Sequence, residues 1–196
     1  MILSVLLILG VGYYRWQTVG SGDAISEVGR ELGLQYERVS QRSQLRGRIG
    51  DIGVAVDTTT GNSAGDTKWF TDFKIYAPDQ PHGKIIGASV RQKLIGKMKE
   101  SEWLKTGDAD FDKAILVSGS AEEILPRLNP EARPAVLAAV EEGWELDGVT
   151  WKARKSGRLT SAEKIRSILD LGLAAAKATR GSAPPPASEE GQAGKE

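Results

Sequence analysis

TKWFTDFKIYA, Thr67 to Ala77, alternates without a break: Trp69, Thr71, Phe73 and Ile75 fall on one side of an extended chain, Asp72 and Lys74 on the other. A period of two with aromatic and β-branched residues on the apolar side is the pattern of a strand with one face buried and one in water. Such a strand needs neighbours. SQLRGRIGDIGVAVDTTT, Ser43 to Thr60, reads as two strands about a Gly50–Asp51 turn, and the second is the expected partner of Thr67–Ala77 across GNSAGD. LQYERVS, Leu34 to Ser40, alternates as well. Further along, AILVSG has the length and branching of a buried strand. WELDGVTWKA reads as a hairpin in which Asp147–Gly148 supply the positive φ angles of a type I′ turn.

Helices announce themselves between these strands. DAISEVGRELGL places Ile25, Val28 and Leu32 at helical spacing, with Asp23 as N-cap. Ser120 and Glu123 have capping-box spacing, Asn129–Pro130 has the form of an N-cap followed by proline, and Gly143 closes that second helix. Thr160 and Glu163 would cap a last helix whose Ile165, Ile168, Leu169 and Leu173 form one stripe. KIIGASVRQKLIGKM stays open between strand and short helix. The expected fold is α+β, an antiparallel sheet with packed helices, and 196 residues suit a single domain with appendages.

The appendages are at the ends. MILSVLLILGVGYY runs fourteen residues without a charge and then meets Arg15 and Trp16. As a helix it would span roughly 21 Å, and extension to Val19 brings it close to the roughly 30 Å of a bilayer core. Tyr13, Tyr14 and Trp16 stand where an interfacial aromatic belt would lie. Residues 1–19 are therefore read as a single-pass transmembrane anchor in the inner membrane, favoured over a signal peptide or a core helix. Arg15 and Arg30 on its C-terminal side weakly favour a cytoplasmic body. Residues 20–178 form the expected α+β domain. Residues 179–196, with RGSAPPPASEEGQAGKE, hold too little apolar surface to offset ordering and are expected to be disordered.

Composition excludes several chemistries. The 26 basic residues balance 26 acidic ones, so no global excess points to nucleic acid. There is no cysteine, which removes disulfides and thiolate chemistry, and His82 is the single histidine, which excludes an HExxH zinc site. His82 lies in APDQPHGK and reads as an exposed turn. GVGYYR lacks the third glycine of a dinucleotide loop, and GNSAGDTK has Asp66 where a phosphate-binding loop needs lysine; a hairpin tip fits better. The charge is segregated, however. Arg38, Arg42, Arg46 and Arg48 form one basic stretch, Arg91, Lys93, Lys97 and Lys99 a second, and Lys152, Arg154, Lys155 and Arg158 a third, while Asp108 to Asp147 is acidic.

TGDADFDKAILVSGS puts Asp108, Asp110 and Asp112 at alternate positions before a strand. They match positions 1, 3 and 5 of an EF-hand loop, but Lys113 and Gly119 stand where glycine and glutamate are required. If the segment were extended, three carboxylates on one face would repel unless cations met them. The favoured reading is a turn with Phe111 as an inward anchor; a salt-bridged recognition surface comes next, and a metal or catalytic cluster last. No catalytic, cofactor-binding or metal-ligating residue is assigned, and no cofactor is expected.

The order of apolar segment, ELGL, LRGRIGDIGVAV, TGDADFD before a strand, LNPEARPAVL and a final hairpin resembles a group of uncharacterised, membrane-anchored bacterial proteins over roughly residues 1 to 178. The resemblance implies an anchor and an α+β body; it implies no activity. The leading expectation is a membrane-tethered, non-enzymatic domain that binds a protein partner or the membrane surface, with nucleic acid excluded as ligand. The alternative is a metal-dependent hydrolase using Asp108, Asp110 and Asp112.

Overall fold

The computed structural model describes residues 24–63, 66–88 and 103–181. The expected anchor, the second basic stretch and most of the expected tail lie outside those residues. Eight strands form one antiparallel sheet: β1 Gln35–Val39, β2 Arg42–Ile49, β3 Ile52–Ser63, β4 Asp66–Tyr76, β5 Gly83–Gly87, β6 Ile115–Gly119, β7 Trp144–Gly148 and β8 Thr150–Ser156. Their spatial order is β1-β2-β3-β4-β8-β7-β5-β6. Five α-helices accompany them: α1 over residues 24–32, α2 Ala109–Ala114, α3 Ala121–Ile124, α4 Arg133–Glu141 and α5 Ala162–Thr179. The α+β expectation is met, and β3 pairs with β4 as Thr67–Ala77 required.

Period-two patterning places the core. Leu45, Val56, Phe73, Ala153 and Trp144 lie in one register row across the sheet, and Val54, Ile75, Trp151, Leu146, Ile85 and Val117 lie in the next. All are buried. Each large side chain fully removed from water contributes about 1.5–3 kcal/mol of transfer free energy, so this face dominates the stability. The helices cover the same face. Gly29 in α1 abuts Leu45, Ile124 of α3 reaches Gly83, and Gly172 in α5 rests on Trp144. Phe111 of α2 and Val136, Ala139 and Val140 of α4 join the cluster. Ile86 and Leu116 pair across β5 and β6 on the opposite face and are buried apart from that core.

The buried side chains of Trp144, Trp151, Gln80 and Thr179 are hydrogen-bonded, as polar groups in a low-dielectric interior ordinarily are. The Trp144 indole donates to the Ile168 carbonyl at 3.0 Å. Trp151 donates to Gln80 and Thr179, Gln80 donates to the Ala176 carbonyl at 2.6 Å, and Thr179 donates to Gln80 Oε1 at 2.9 Å. This network ties the β4–β5 loop to the end of α5. Thr179, assigned from the sequence to the tail, closes the last helix and is fully buried.

Several local readings shift by a residue or two. Asp147 pairs with Thr150, so the hairpin turn is Gly148–Val149, and only Gly148 has positive φ (66°); that is the II′ pattern instead of I′. Asn129 accepts from Ala132 N at 2.9 Å, but α4 begins at Arg133 with Pro134 in its first turn. Ser120 makes no side-chain cap bond, and α3 is only four residues long. The last helix is capped by Ser161, whose hydroxyl accepts from Lys164 N, one position beyond the expected Thr160. Gly143, at φ 84°, closes α4 as expected, and His82 is exposed.

Candidate functional site

The aspartates before β6 do not converge. Asp108 is the N-cap of α2: its Oδ1 accepts from Asp110 N at 3.2 Å and Phe111 N at 3.1 Å, and its Oδ2 accepts from Arg133 at 2.9 Å. Asp112 Oδ1 accepts from both the amide and the hydroxyl of Thr106 at 2.9 Å. Asp110 is exposed. The segment is thus a helical turn and not an extended lead into the strand, because the cap satisfies amides that would otherwise be orphaned. The hydrogen bond from the Phe111 N–H, with the hydrogen bond and charge of Arg133, outweighs the opposing cost of desolvation and holds the Asp108 carboxyl below the usual range. Phe111 is buried, as expected, and Arg133 lies over its ring at 5.7 Å. Among the described residues, no group of three His, Cys, Asp or Glu side chains is placed to hold a metal ion.

A different set of residues does converge. The five α-helices among the described residues lie on one side of the sheet; the alternate residues of each strand form the other side, which is open over β1 to β4, β8 and β7 but buried at Ile86 and Leu116 on β5 and β6. Its cations are Arg42, Arg46 and Arg48 on β2, Lys68 and Lys74 on β4, Lys152 and Arg154 on β8, and Lys84 on β5. Its anions are Glu37 on β1, Asp57 on β3, Asp66 and Asp72 on β4, and Glu145 and Asp147 on β7. Eight cations against six anions leave a net of two positive charges, in a chain whose overall charge is zero. The helical side exposes both signs, acids such as Asp110, Glu122, Glu123 and Glu131 and bases such as Arg30, Lys113, Lys164 and Lys177.

Many of these charges are paired within the face. Arg154 grips Asp72 through two bonds, Nε to Oδ1 at 2.6 Å and NH2 to Oδ2 at 3.1 Å, and Thr59 donates to Asp72 at 2.6 Å. Arg46 pairs with Asp57 at 3.1 Å, and Lys152 with Asp147 at 2.5 Å and Glu145 at 3.4 Å. Partial burial raises the Asp72 pKa, but the hydrogen bonds from Arg154 and Thr59 and the charges of Arg154 and Lys74 outweigh it, so the group titrates below the usual range. The Lys152 bond likewise lowers Asp147, with Lys84 adding to it, and Asp147 raises Lys152. Lys74 and Lys84 themselves make no close ion pair among the described residues. A shallow cleft of about 510 Å³ opens on this face where β7 ends beside β8, lined by Asp72, Lys74, Glu145, Lys152 and Arg154.

Of the basic stretches read from the sequence, the first and third meet here in part. Arg42, Arg46, Arg48, Lys152 and Arg154 share the open face. Arg38 and Lys155 project to the other side, where Lys155 bonds the carbonyl and carboxylate of Glu142 at the end of α4. Arg158 stacks on Trp69 with its guanidinium 3.3 Å from the ring centroid. Lys74 and Lys84 were not singled out in the sequence. Their signal was the polar phase of the strand alternation, which shows that a residue faces outward without showing which other residues share that face.

No family model matches the chain, no curated protein is similar to it in sequence, and no solved structure matches its fold.

Proposed function

We propose that the chain is a membrane-tethered, non-enzymatic binding domain, anchored through residues 1–19 and working through the open face of its sheet. The observation that carries this reading is the cationic bias of the helix-free side of the sheet, where Arg46, Lys74 and Lys152 share one register row and cations outnumber anions by two. Near an anionic surface each basic residue contributes about 1 kcal/mol. Two net charges would give a free domain only weak binding, whereas a tether raises the effective concentration enough to make it useful. The resemblance to membrane-anchored bacterial proteins supports the tether. The positive-inside rule, through Arg15 and Arg30, favours a body on the cytoplasmic side of the inner membrane.

A metal-dependent hydrolase on Asp108, Asp110 and Asp112 is the weaker alternative, since Asp108 and Asp112 already serve as hydrogen-bond acceptors for Phe111, Arg133 and Thr106. Alkaline carbonate washing of native membranes tests the tether. The full-length chain should stay with the membranes and a chain beginning at residue 24 should leave them; release of the full-length chain would refute the proposal.

A further inference from the structure

Resting on the tethered reading, we propose that the occupant of the open sheet face is the anionic headgroup layer of the bilayer, with the domain lying sheet side down. The distribution of groups over the face favours lipid above an acidic protein. Stable protein interfaces put apolar anchors at the centre and charge at the rim. Here the order is reversed. Lys74 lies on the central strand β4, flanked by the Asp72–Arg154 pair, and Phe70 on the same strand is half-buried with Arg154 at 5.2 Å over its ring. Among the described residues, the three exposed large apolar side chains are peripheral: Val39 (51%) at the end of β1, Tyr76 (46%) at the end of β4, and Val149 (47%) at the tip of the β7–β8 hairpin.

A rigid partner would have to match or break each internal ion pair, whereas a fluid headgroup layer responds to the net charge and demands no fixed complement. Tyr76 suits the boundary between headgroups and water, because its ring is apolar and its hydroxyl polar. Lys74 and Lys84, which lack close ion pairs among the described residues, would supply much of the attraction.

The absence of cysteine makes the test direct. A single fluorophore is placed at Y76C, or at A174C on the exposed side of α5. The full-length protein is then reconstituted in vesicles of phosphatidylcholine, alone or with roughly a third phosphatidylserine, carrying headgroup-spin-labelled lipid as quencher. The label at position 76 should be quenched severalfold more in the phosphatidylserine vesicles, that at 174 should respond to neither, and K74E/K84E should abolish the difference. Equal quenching at the two positions, or none dependent on phosphatidylserine, in vesicles that retain the protein would overturn headgroup docking and leave the tether standing. A label at 76 that ignores these vesicles yet is shielded on native membranes would identify an acidic protein as the occupant and also overturn the proposal. Failure of the full-length chain to enter vesicles would overturn the tethered reading itself.

Discussion

Gly172 in α5 lies so close to the ring of Trp144 that a Cβ at that position would fall 2.4 Å from Cζ2. The ring cannot easily yield, since it is buried and its N–H is bonded to the Ile168 carbonyl on the same helix. Two effects oppose each other in Gly172→Ala. Helix propensity favours alanine by about 1 kcal/mol, and overpacking costs about 1–3 kcal/mol. Close packing should prevail, and urea unfolding is expected to show a net loss of up to about 2 kcal/mol. A gain would mean that the helix can shift away from the sheet.

The capping role of Asp108 separates a structural carboxylate from a metal ligand. Asp108→Ala removes bonds to Asp110, Phe111 and Arg133 and should lower the melting temperature by a few degrees, while Asp108→Asn, which can still cap, should lose less. Calcium or magnesium is expected to leave the melting temperature of the parent protein unchanged. Stabilisation by metal that vanishes in Asp108→Asn would restore the hydrolase alternative.

Acid should weaken the sheet through Asp72. Its folded-state pKa lies below the ordinary 3.8, so the unfolded chain takes up the proton first on acidification. The corresponding stability is fully present above the ordinary value and is lost as the pH falls through the depressed one. Asp72→Asn should flatten this part of a stability-against-pH curve measured by chemical denaturation. An unchanged slope would show that the Arg154 and Thr59 bonds do not persist in solution.

Three hairpins turn on two residues with positive φ at the first: Ser40 (59°), Gly50 (63°) and Gly148 (66°). Serine is the costly choice there, because its Cβ crowds the backbone in the left-handed region. Ser40→Gly is expected to raise stability by roughly 0.5 kcal/mol and Gly148→Ala to lower it by about 1 kcal/mol, both readable from thermal denaturation.

Much of the architecture was legible because a half-buried strand writes its period into the sequence. Thr67–Ala77 and its neighbours alternate without error, and the stripe Ile165, Ile168, Leu169, Leu173 is buried as read. Turn positions were harder. Asp147–Gly148 looks like a type I′ signal, but cross-strand register, which depends on packing, moved the turn by one residue. At the aspartates the sequence favours a turn with Phe111 inward, and the structure has one; spacing alone did not show that Asp108 caps it as a helical turn. The candidate face was illegible as a unit. Arg46, Lys74 and Lys152 are far apart in the chain, and only the placement of β8 beside β4 brings them into one register row. Gln80, in a segment that reads as an exposed turn, is buried because Trp151 and Thr179 converge on it.

The most direct test of the account is a footprint of the two layers on native membranes. Single cysteines are introduced at Lys74 on the sheet and at Ala174 on α5 of the full-length chain, and a membrane-impermeant maleimide is added to membranes opened on both sides. The account predicts slow labelling at position 74 and fast labelling at 174, with both fast once the membranes are dissolved in detergent. Equal, rapid labelling at the two positions on intact membranes would contradict it, since the open sheet face would then be bare to solvent where the protein resides.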